Sequence, residues 1–134
     1  MTEYMLDTNI CIAVMKGHSA VRSKISRIDP VKIGISGIVL AELSCGVWKS
    51  KQHERNKQAL ADFCSICRVW DWPVFAADIY GEIRAFLEQQ GRTIGANDLL
   101  IAAHATKYLD AVLITNNTRE FERIRGLKTE DWTF

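Results

Sequence analysis

Three acidic side chains lie in strongly apolar parts of this 134-residue sequence. Asp7 follows the apolar run 4–6, Glu42 lies within the apolar run 38–43, and Asp98 directly precedes a third apolar run. A buried carboxylate is costly unless a partner compensates its charge, and carboxylates brought together repel one another unless a cation lies between them. Because Mg²⁺ and Mn²⁺ prefer oxygen ligands, the three acids predict a site for one of these ions.

Each acid also has a purely structural interpretation. Asp7 and Asp98 could each cap a helix, and Glu42 could face solvent from an amphipathic helix. Taken together, the acids favour the metal site, whose chemistry would be phosphoryl transfer or phosphodiester hydrolysis. No Gly-rich phosphate loop and no Gly-x-Ser-x-Gly nucleophile motif competes with this interpretation.

The histidines and cysteines do not form a second pattern of ligands. His18, His53 and His104 lack metal-binding spacing, and His104 is expected to be a core residue. Cys64 and Cys67 have the spacing of a redox or zinc pair and fall in a segment that is predicted to be helical. A zinc site would need two further ligands, so we interpret them as buried structural thiols.

Strand and helix patterns alternate along the chain. The predicted strands are 4–6, 31–36, 69–72, 111–115 and 127–130; the predicted helices are 10–16, 20–28, one opening at 36–37, one ending near 66, 76–90, 97–109 and a short one within 116–125. This alternation predicts one α/β domain over residues 1–134, with a largely parallel sheet flanked by helices on both faces. In such sheets, sites form at the ends of strands near a switch in strand order. Asp7 lies at such a strand end, and so do Asn116 and Asn117.

The composition is that of an ordinary globular protein, with 48% hydrophobic residues and a net charge of +1. That charge neither favours nor excludes a nucleic-acid partner. The sequence shows no secretory signal and no run of apolar residues long enough to span a bilayer. We therefore expect a cytoplasmic protein with reduced thiols and no membrane partner.

Four stretches, in order, resemble motifs of the PIN-domain ribonucleases, and specifically of the VapC toxins of bacterial toxin–antitoxin pairs. They are residues 5–10, 35–46, 94–105 and 113–121. The resemblance implies a metal-dependent endoribonuclease in which Asp7, Glu42 and Asp98 hold Mg²⁺ or Mn²⁺.

The same resemblance assigns two further residues to the catalytic site. Thr115 would orient the residues that hold the metal. Asn117 stands at the fourth acidic position of the family and carries no charge. That departure implies one resident ion, with a second arriving alongside the substrate phosphate.

The resemblance also implies partners. A VapC-type protein forms homodimers and is neutralised by a VapB-type antitoxin lying across the active-site groove. It cleaves RNA, with structured RNA such as tRNA as the favoured target and ribosomal RNA as the alternative, and this cleavage stops translation. The RNA would be held by the basic residues of 49–57 or by Arg22, Lys24 and Arg27. Three tryptophans could stack on bases, although most of them are expected to be core or interface residues; they are Trp48, Trp70 and Trp72.

Three other interpretations of the sequence compete with the resemblance. A haloacid-dehalogenase-type phosphatase needs a second Asp where this chain has Asn9, and a receiver domain needs a Lys where Asn116 and Asn117 follow Thr115. A non-catalytic PIN-fold module that binds RNA or protein is the remaining alternative. The three intact acids argue against it, since a binding module has no use for a costly acid cluster.

Overall fold

The computed structural model describes residues 2–107 and 111–134 of the chain. Its strands are β1 Tyr4–Leu6, β2 Ile33–Ser36, β3 Arg68–Trp70, β4 Val112–Ile114 and β5 Lys128–Glu130. They form one sheet in the order β3-β2-β1-β4-β5, and every neighbouring pair is parallel. The structure thus confirms the predicted α/β class with a parallel sheet.

Helices connect the strands. They are α1 Thr8–Met15, α2 Ser19–Ser26, α3 Gly37–Lys49, α4 His53–Ile66, α5 Ala76–Gln89, α6 Ala96–Lys107 and α7 Thr118–Phe121. The chain moves outward from β1 to β3 and then crosses back to β4 and β5. Because connections between parallel strands are right-handed, these two directions of travel put helices on both faces of the sheet. Within the described ranges, no helix is long and apolar enough to cross a membrane.

The predicted element boundaries differ from the structure at a few ends. Strand β2 begins at Ile33 rather than 31, because Asp29 accepts a hydrogen bond from the backbone N–H of Val31 and starts a short 3-10 turn over Pro30–Lys32. Strand β3 covers Arg68–Trp70 rather than 69–72. The predicted end of the sixth helix, at 109, lies outside the described residues.

The core is built from the central strands and α6. Every residue of β2 and β4 is buried, as expected for strands covered on both faces. Helix α6 buries Leu99 and the run 101–105, as expected for a helix that is apolar on nearly all sides. Gly34 is required in β2, because an added Cβ would lie 2.8 Å from the ring of Trp70.

The pairing of β1 with β4 decides where the site lies. These strands are neighbours at the point where the strand order reverses, and Leu6 pairs with Ile114. The next residue of each strand therefore follows at the same edge of the sheet. The backbone N–H of Asp7 donates to the carbonyl of Ile114 at 2.9 Å, which places Asp7 beside Thr115.

Candidate active site

Asp7 is a buried carboxylate at the switch in strand order, with 5% of its surface exposed. It caps α1, since Oδ1 accepts a hydrogen bond from the backbone N–H of Thr8 at 2.8 Å. Its other oxygen, Oδ2, accepts from the hydroxyl of Thr115 at 2.9 Å. Burial raises the pKa of Asp7 above its ordinary value, the two hydrogen bonds lower it, and the nearby charge of Glu42 raises it. Asp7 is therefore both a helix cap and a costly buried charge.

Glu42 is held on the inward side of α3. Val39, Leu43 and Val47 form the buried stripe of the helix, and Glu42 lies half-buried beside it. The hydroxyl of Thr8 donates to Glu42 Oε1 at 2.6 Å, and the side-chain amide of Asn97 donates to Oε2 at 3.4 Å. These contacts join three distant parts of the chain, so Glu42 is not simply a solvent-facing residue.

Asp98 is the third residue of α6 and is half-buried. Its pKa is raised to about 6, first by burial and then by the negative charges of Asp7, Glu42 and Glu120. These interactions place the three predicted acids within electrostatic range of one another at one edge of the sheet. We call Asp7, Glu42, Asp98 and Glu120 the acid cluster.

Glu120 is the site residue that the sequence analysis missed. It lies on α7, and its Oε2 accepts a hydrogen bond from the side-chain amide of Asn117 at 2.9 Å. The backbone N–H of Asn117 donates to the hydroxyl of Thr115 at 3.0 Å. Asn117 thus fixes the side chain of Glu120, which brings a fourth negative charge to the site. The available signal was the helical spacing, since Glu120 follows Asn117 by three residues within the stretch 113–121.

His104 ties together the helices that carry Glu42 and Asp98. Its Nδ1 lies 3.0 Å from Ser36 Oγ, and the same oxygen accepts from the backbone N–H of Ile38 at the start of α3. Burial lowers the pKa of His104 to about 4, so the imidazole is neutral at physiological pH. The prediction that His104 is a core residue is confirmed.

The cysteine prediction is only partly right. Cys64 and Cys67 are free thiols and half-buried rather than buried. Cys67 lies beyond the last residue of α4, so the pair does not share one helix face. Burial, and secondarily the neighbouring Cys64, raises the pKa of the Cys67 thiol to about 11, so the thiol stays protonated and unreactive.

An open groove of about 720 Å³ begins at the acid cluster and runs between α1, α3 and α4. Thr8 and Glu42 lie at one end, and Gln52, Arg55 and Asn56 line its α4 side. The intervening wall is largely apolar, with the side chains of Ile12, Met15, Leu43, Val47, Ala59 and Leu60. Of the two basic sets predicted to hold RNA, only the set within 49–57 reaches this groove, and it does so through Arg55.

The donor set of the acid cluster fits a hard divalent cation. Within residues 2–107 and 111–134, no three His, Cys, Asp or Glu side chains are already close enough to ligate one ion together. The carboxylates instead lie in mutual electrostatic range. That arrangement suits Mg²⁺, which binds through one or two carboxylates and keeps several of its waters.

Comparison with known proteins gives the family. Residues 4–127 match the PIN domain family. The chain is 44% identical to the tRNA(fMet)-specific endonuclease VapC of Shigella flexneri, over 99% of this chain and 100% of that protein. It is 46% identical to ribonuclease VapC2 of Rickettsia felis, over 96% of this chain and 97% of that protein.

Solved structures agree with the sequence comparison. The crystal structure of DNA-bound VapBC from Salmonella typhimurium contains a chain that superposes with a TM-score of 0.92 and 41% identity, covering 98% of this chain and 99% of that one. The promoter-DNA complex of VapBC2 from Rickettsia felis gives a TM-score of 0.91 and 44% identity, covering 98% and 99%. With its fold, its motif order and its full-length relatives in agreement, this chain belongs to the PIN-domain family and, within it, to the VapC ribonucleases.

Proposed function

We propose that this protein is a Mg²⁺-dependent endoribonuclease that acts as the toxin of a VapBC-type pair. The observation that carries the proposal is the meeting of Asp7, Glu42 and Asp98 at the β1–β4 switch, from three distant parts of the chain. Four negative charges share this edge of the sheet, and two of the carboxyl groups have raised pKa values. Such a cluster is costly to fold without a function that uses it.

Asp7, Asp98 and Glu42 are the residues that would hold the metal. When bound, Mg²⁺ supplies charge neutralisation, a lower pKa for an attacking water, and stabilisation of the leaving oxygen of the phosphodiester. Mn²⁺ would take the same oxygen ligands. Without metal, the raised pKa of Asp98 leaves about half of this carboxyl group protonated at about pH 6. Because a cation and a proton compete for the carboxylate, metal binding should weaken as the pH falls through that value.

The remaining residues of the site position the acids. Thr115 fixes the orientation of Asp7 through its hydroxyl, and Thr8 fixes Glu42 in the same way. Asn117 holds Glu120, whose charge faces Asp98. These contacts keep the carboxylates oriented before RNA binds, so little reorganisation is needed during the reaction.

The proposed substrate is a structured RNA, and tRNA in particular. The VapC relatives from Shigella flexneri and Salmonella typhimurium are named tRNA(fMet)-specific endonucleases and are 44% and 40% identical to this chain. Cleavage of a tRNA would inhibit translation in the cytoplasm, which is the proposed place of action.

The proposed protein partner is a VapB-type antitoxin. The groove between α1, α3 and α4 offers an apolar wall for a peptide, with Glu42 at one end to pair with a basic side chain. A peptide seated there would cover the acid cluster and block RNA. We also propose a homodimer, for which Val74 and Phe75, exposed by 89% and 52%, supply apolar surface.

The test is cleavage of purified tRNA by the purified protein. We expect defined cuts with Mg²⁺ or Mn²⁺, no cutting in excess EDTA, and recovery when Mg²⁺ is added back. Single variants Asp7→Ala, Glu42→Ala and Asp98→Ala should be folded and inactive. A folded parent protein that binds tRNA and leaves it intact with either metal would support the non-catalytic alternative and refute the proposal.

A further inference from the structure

We propose that Trp48 and the basic turn that follows it form a stacking platform for an unpaired base of the RNA, next to the cleaved phosphodiester. We define the basic turn as residues 49–57, from the end of α3 into the first turns of α4. This inference rests on the proposed ribonuclease function and adds to it an element that positions the substrate.

The structure selects Trp48 from the four tryptophans of the chain. Trp70 and Trp132 are buried, with 5% and 2% of their surfaces exposed. Trp72 is half-buried, and its Nε1–H donates to the carbonyl of Leu100 at 2.8 Å. Trp48 is 72% exposed. An exposed ring of this size is costly in water and is typical of surfaces that bind a partner.

The exposed ring is held in place by its neighbours. The rings of Trp48 and His53 pack with their centroids 4.3 Å apart at 40°. His53 Nδ1 lies 3.4 Å from the carbonyl of Val47.

The turn that follows the ring has its own hydrogen bonds. Ser50 Oγ accepts from the backbone N–H of Gln52 at 3.0 Å and from the side-chain amide of Asn56 at 2.5 Å. These contacts restrict the positions of the ring and the turn before any ligand binds, which lowers the entropic cost of stacking.

The charge of the basic turn is complementary to RNA. It carries four exposed cations against one exposed carboxylate, Glu54; the cations are Lys49, Lys51, Arg55 and Lys57. Within the part of the chain that the structure describes, none of the four pairs with a carboxylate. Aromatic side chains flanked by unpaired cations are the typical surface for single-stranded nucleic acid.

The axial separation of Glu42 and Trp48 along α3 suits a short stretch of RNA. Trp48 follows Glu42 by six residues on α3, which is about 9 Å along the helix axis at about 1.5 Å per residue. One strand rises about 3.4 Å per stacked nucleotide, so this distance corresponds to two or three nucleotides. Gly46, Val47, Gln52 and Arg55 line the groove that leads from Glu42 to the turn.

The experiment measures binding and cleavage separately. Binding of a short fluorescein-labelled single-stranded RNA is measured with Mg²⁺ in an Asp98→Asn background, which prevents turnover. Trp48→Ala should weaken this binding by about 5- to 150-fold, the range expected for loss of one stacked base. Trp48→Phe should retain most of the affinity. Phe86→Ala, which removes another exposed aromatic ring, is the matched control and should change nothing.

The second experiment compares cleavage of tRNA by the parent protein and by its Trp48→Ala variant. The substitution should raise KM by about the same factor as it weakens RNA binding and should leave kcat nearly unchanged. The cations are tested by Lys51→Ala, which should reduce the slope of log affinity against log salt by about 0.7. Lys24→Ala, on α2, is the control and should leave the slope unchanged.

Several results would overturn the inference. If the parent cleaves tRNA and Trp48→Ala binds and cleaves as the parent does, the platform does not exist, although the proposed function stands. If RNA binding is kept but capture of the VapB-type partner is lost, Trp48 belongs to the antitoxin interface. If light scattering shows that Trp48→Ala alone changes the oligomeric state, it belongs to a contact between copies. A parent protein that cleaves no RNA would instead refute the proposed function.

Discussion

The acid cluster and the basic turn both carry charge, but they differ in the burial of the charged groups and in the sequence separation of their contacts. The acids are buried or half-buried, and their contacts join residues far apart in the chain, such as Asp7 with Thr115 and Glu42 with Asn97. The basic turn is exposed, and its contacts lie within a few residues, as between Trp48 and His53. The proposed catalytic charges have the desolvation and fixed geometry that chemistry requires, whereas the charges proposed to bind RNA are exposed to solvent, where phosphates can reach them.

This comparison predicts that mutations in the two regions impair different properties: RNA cleavage for the acid cluster and RNA affinity for the basic turn. Asp98→Asn, or Asp7→Asn, should reduce tRNA cleavage by about 10³-fold or more, because a metal supplies several kcal/mol of transition-state stabilisation and about 1.4 kcal/mol is a factor of ten. Affinity for RNA should hold, since a negative charge near the phosphates is removed. Initial cleavage rates and binding isotherms on the same preparations check this. A cleavage rate near that of the parent would show that the acid cluster is not the reaction centre.

Removing a positioning contact should have an intermediate effect. Thr115→Val deletes the hydroxyl that donates to Asp7 Oδ2 and should reduce cleavage by about 10- to 100-fold, the usual cost of losing a residue that orients a metal ligand. The pKa of Asp7 should rise further, because that hydrogen bond lowers it. Thr129→Val, on the edge strand β5, is the control, and an equal loss in both variants would contradict the assignment.

Glu120 tests whether the fourth charge belongs to the site. Glu120→Gln should lower the pKa of Asp98, since the charge of Glu120 is one of the causes that raise it. Carboxyl titration by NMR in the absence of divalent metal would show this directly. Glu122→Gln, two residues further on and exposed, should leave that pKa where it is. If the two variants give the same Asp98 titration, Glu120 lies outside the electrostatic cluster.

The smallest expected effect is on stability, and its sign is opposite to the effect on activity. The pKa of Asp98 is about 6 in the folded protein against an ordinary 3.8. The stability that this group contributes is therefore full below about pH 4 and is lost as pH rises through 6. In chelator at neutral pH, Asp98→Asn should be more stable than the parent by about 1–2 kcal/mol, a value reduced because the group is half-exposed.

The control for this prediction is the same pair of proteins near pH 4, where the advantage should vanish. His104 contributes the opposite trend, since its pKa is lowered to about 4 and stability falls as pH drops from about 6.5 towards that value. Both proteins contain His104, so the difference between them isolates Asp98. Denaturant unfolding at several pH values measures it, and an advantage that did not depend on pH would contradict the raised pKa.

Much of the fold could be predicted because its signals are local. The apolar β1, the capping side chain of Asp7 and the glycine that ends α1 all lie within a few residues of the elements they define. Gly17 and Gly91 have the positive φ values, 86° and 64°, that end helices. The first residues of the predicted strand 31–36 were wrong, because the side chain of Asp29 accepts from the backbone N–H of Val31 and starts a 3-10 turn there.

The site was predicted less completely than the fold. Asp7, Glu42, Asp98, Thr115 and Asn117 all lie at the same edge of the sheet. Glu120 was missed because an acid on a short surface helix is ordinary in sequence, and only the turn after Thr115 brings it to face Asp98. The three tryptophans looked equivalent in sequence, and burial alone separated Trp48 from the others.

The sequence by itself determined the alternation of strands and helices, the identity of the acids and the family, because side-chain type and spacing are local properties. The tertiary structure decided which distant residues meet: the register of β1 against β4 puts Asp7 beside Thr115, and the packing of α3 and α6 brings Glu42 to Asn97. It also decided the pKa of Asp98, since desolvation and the charges of neighbouring acids depend on folded distances that no local pattern encodes.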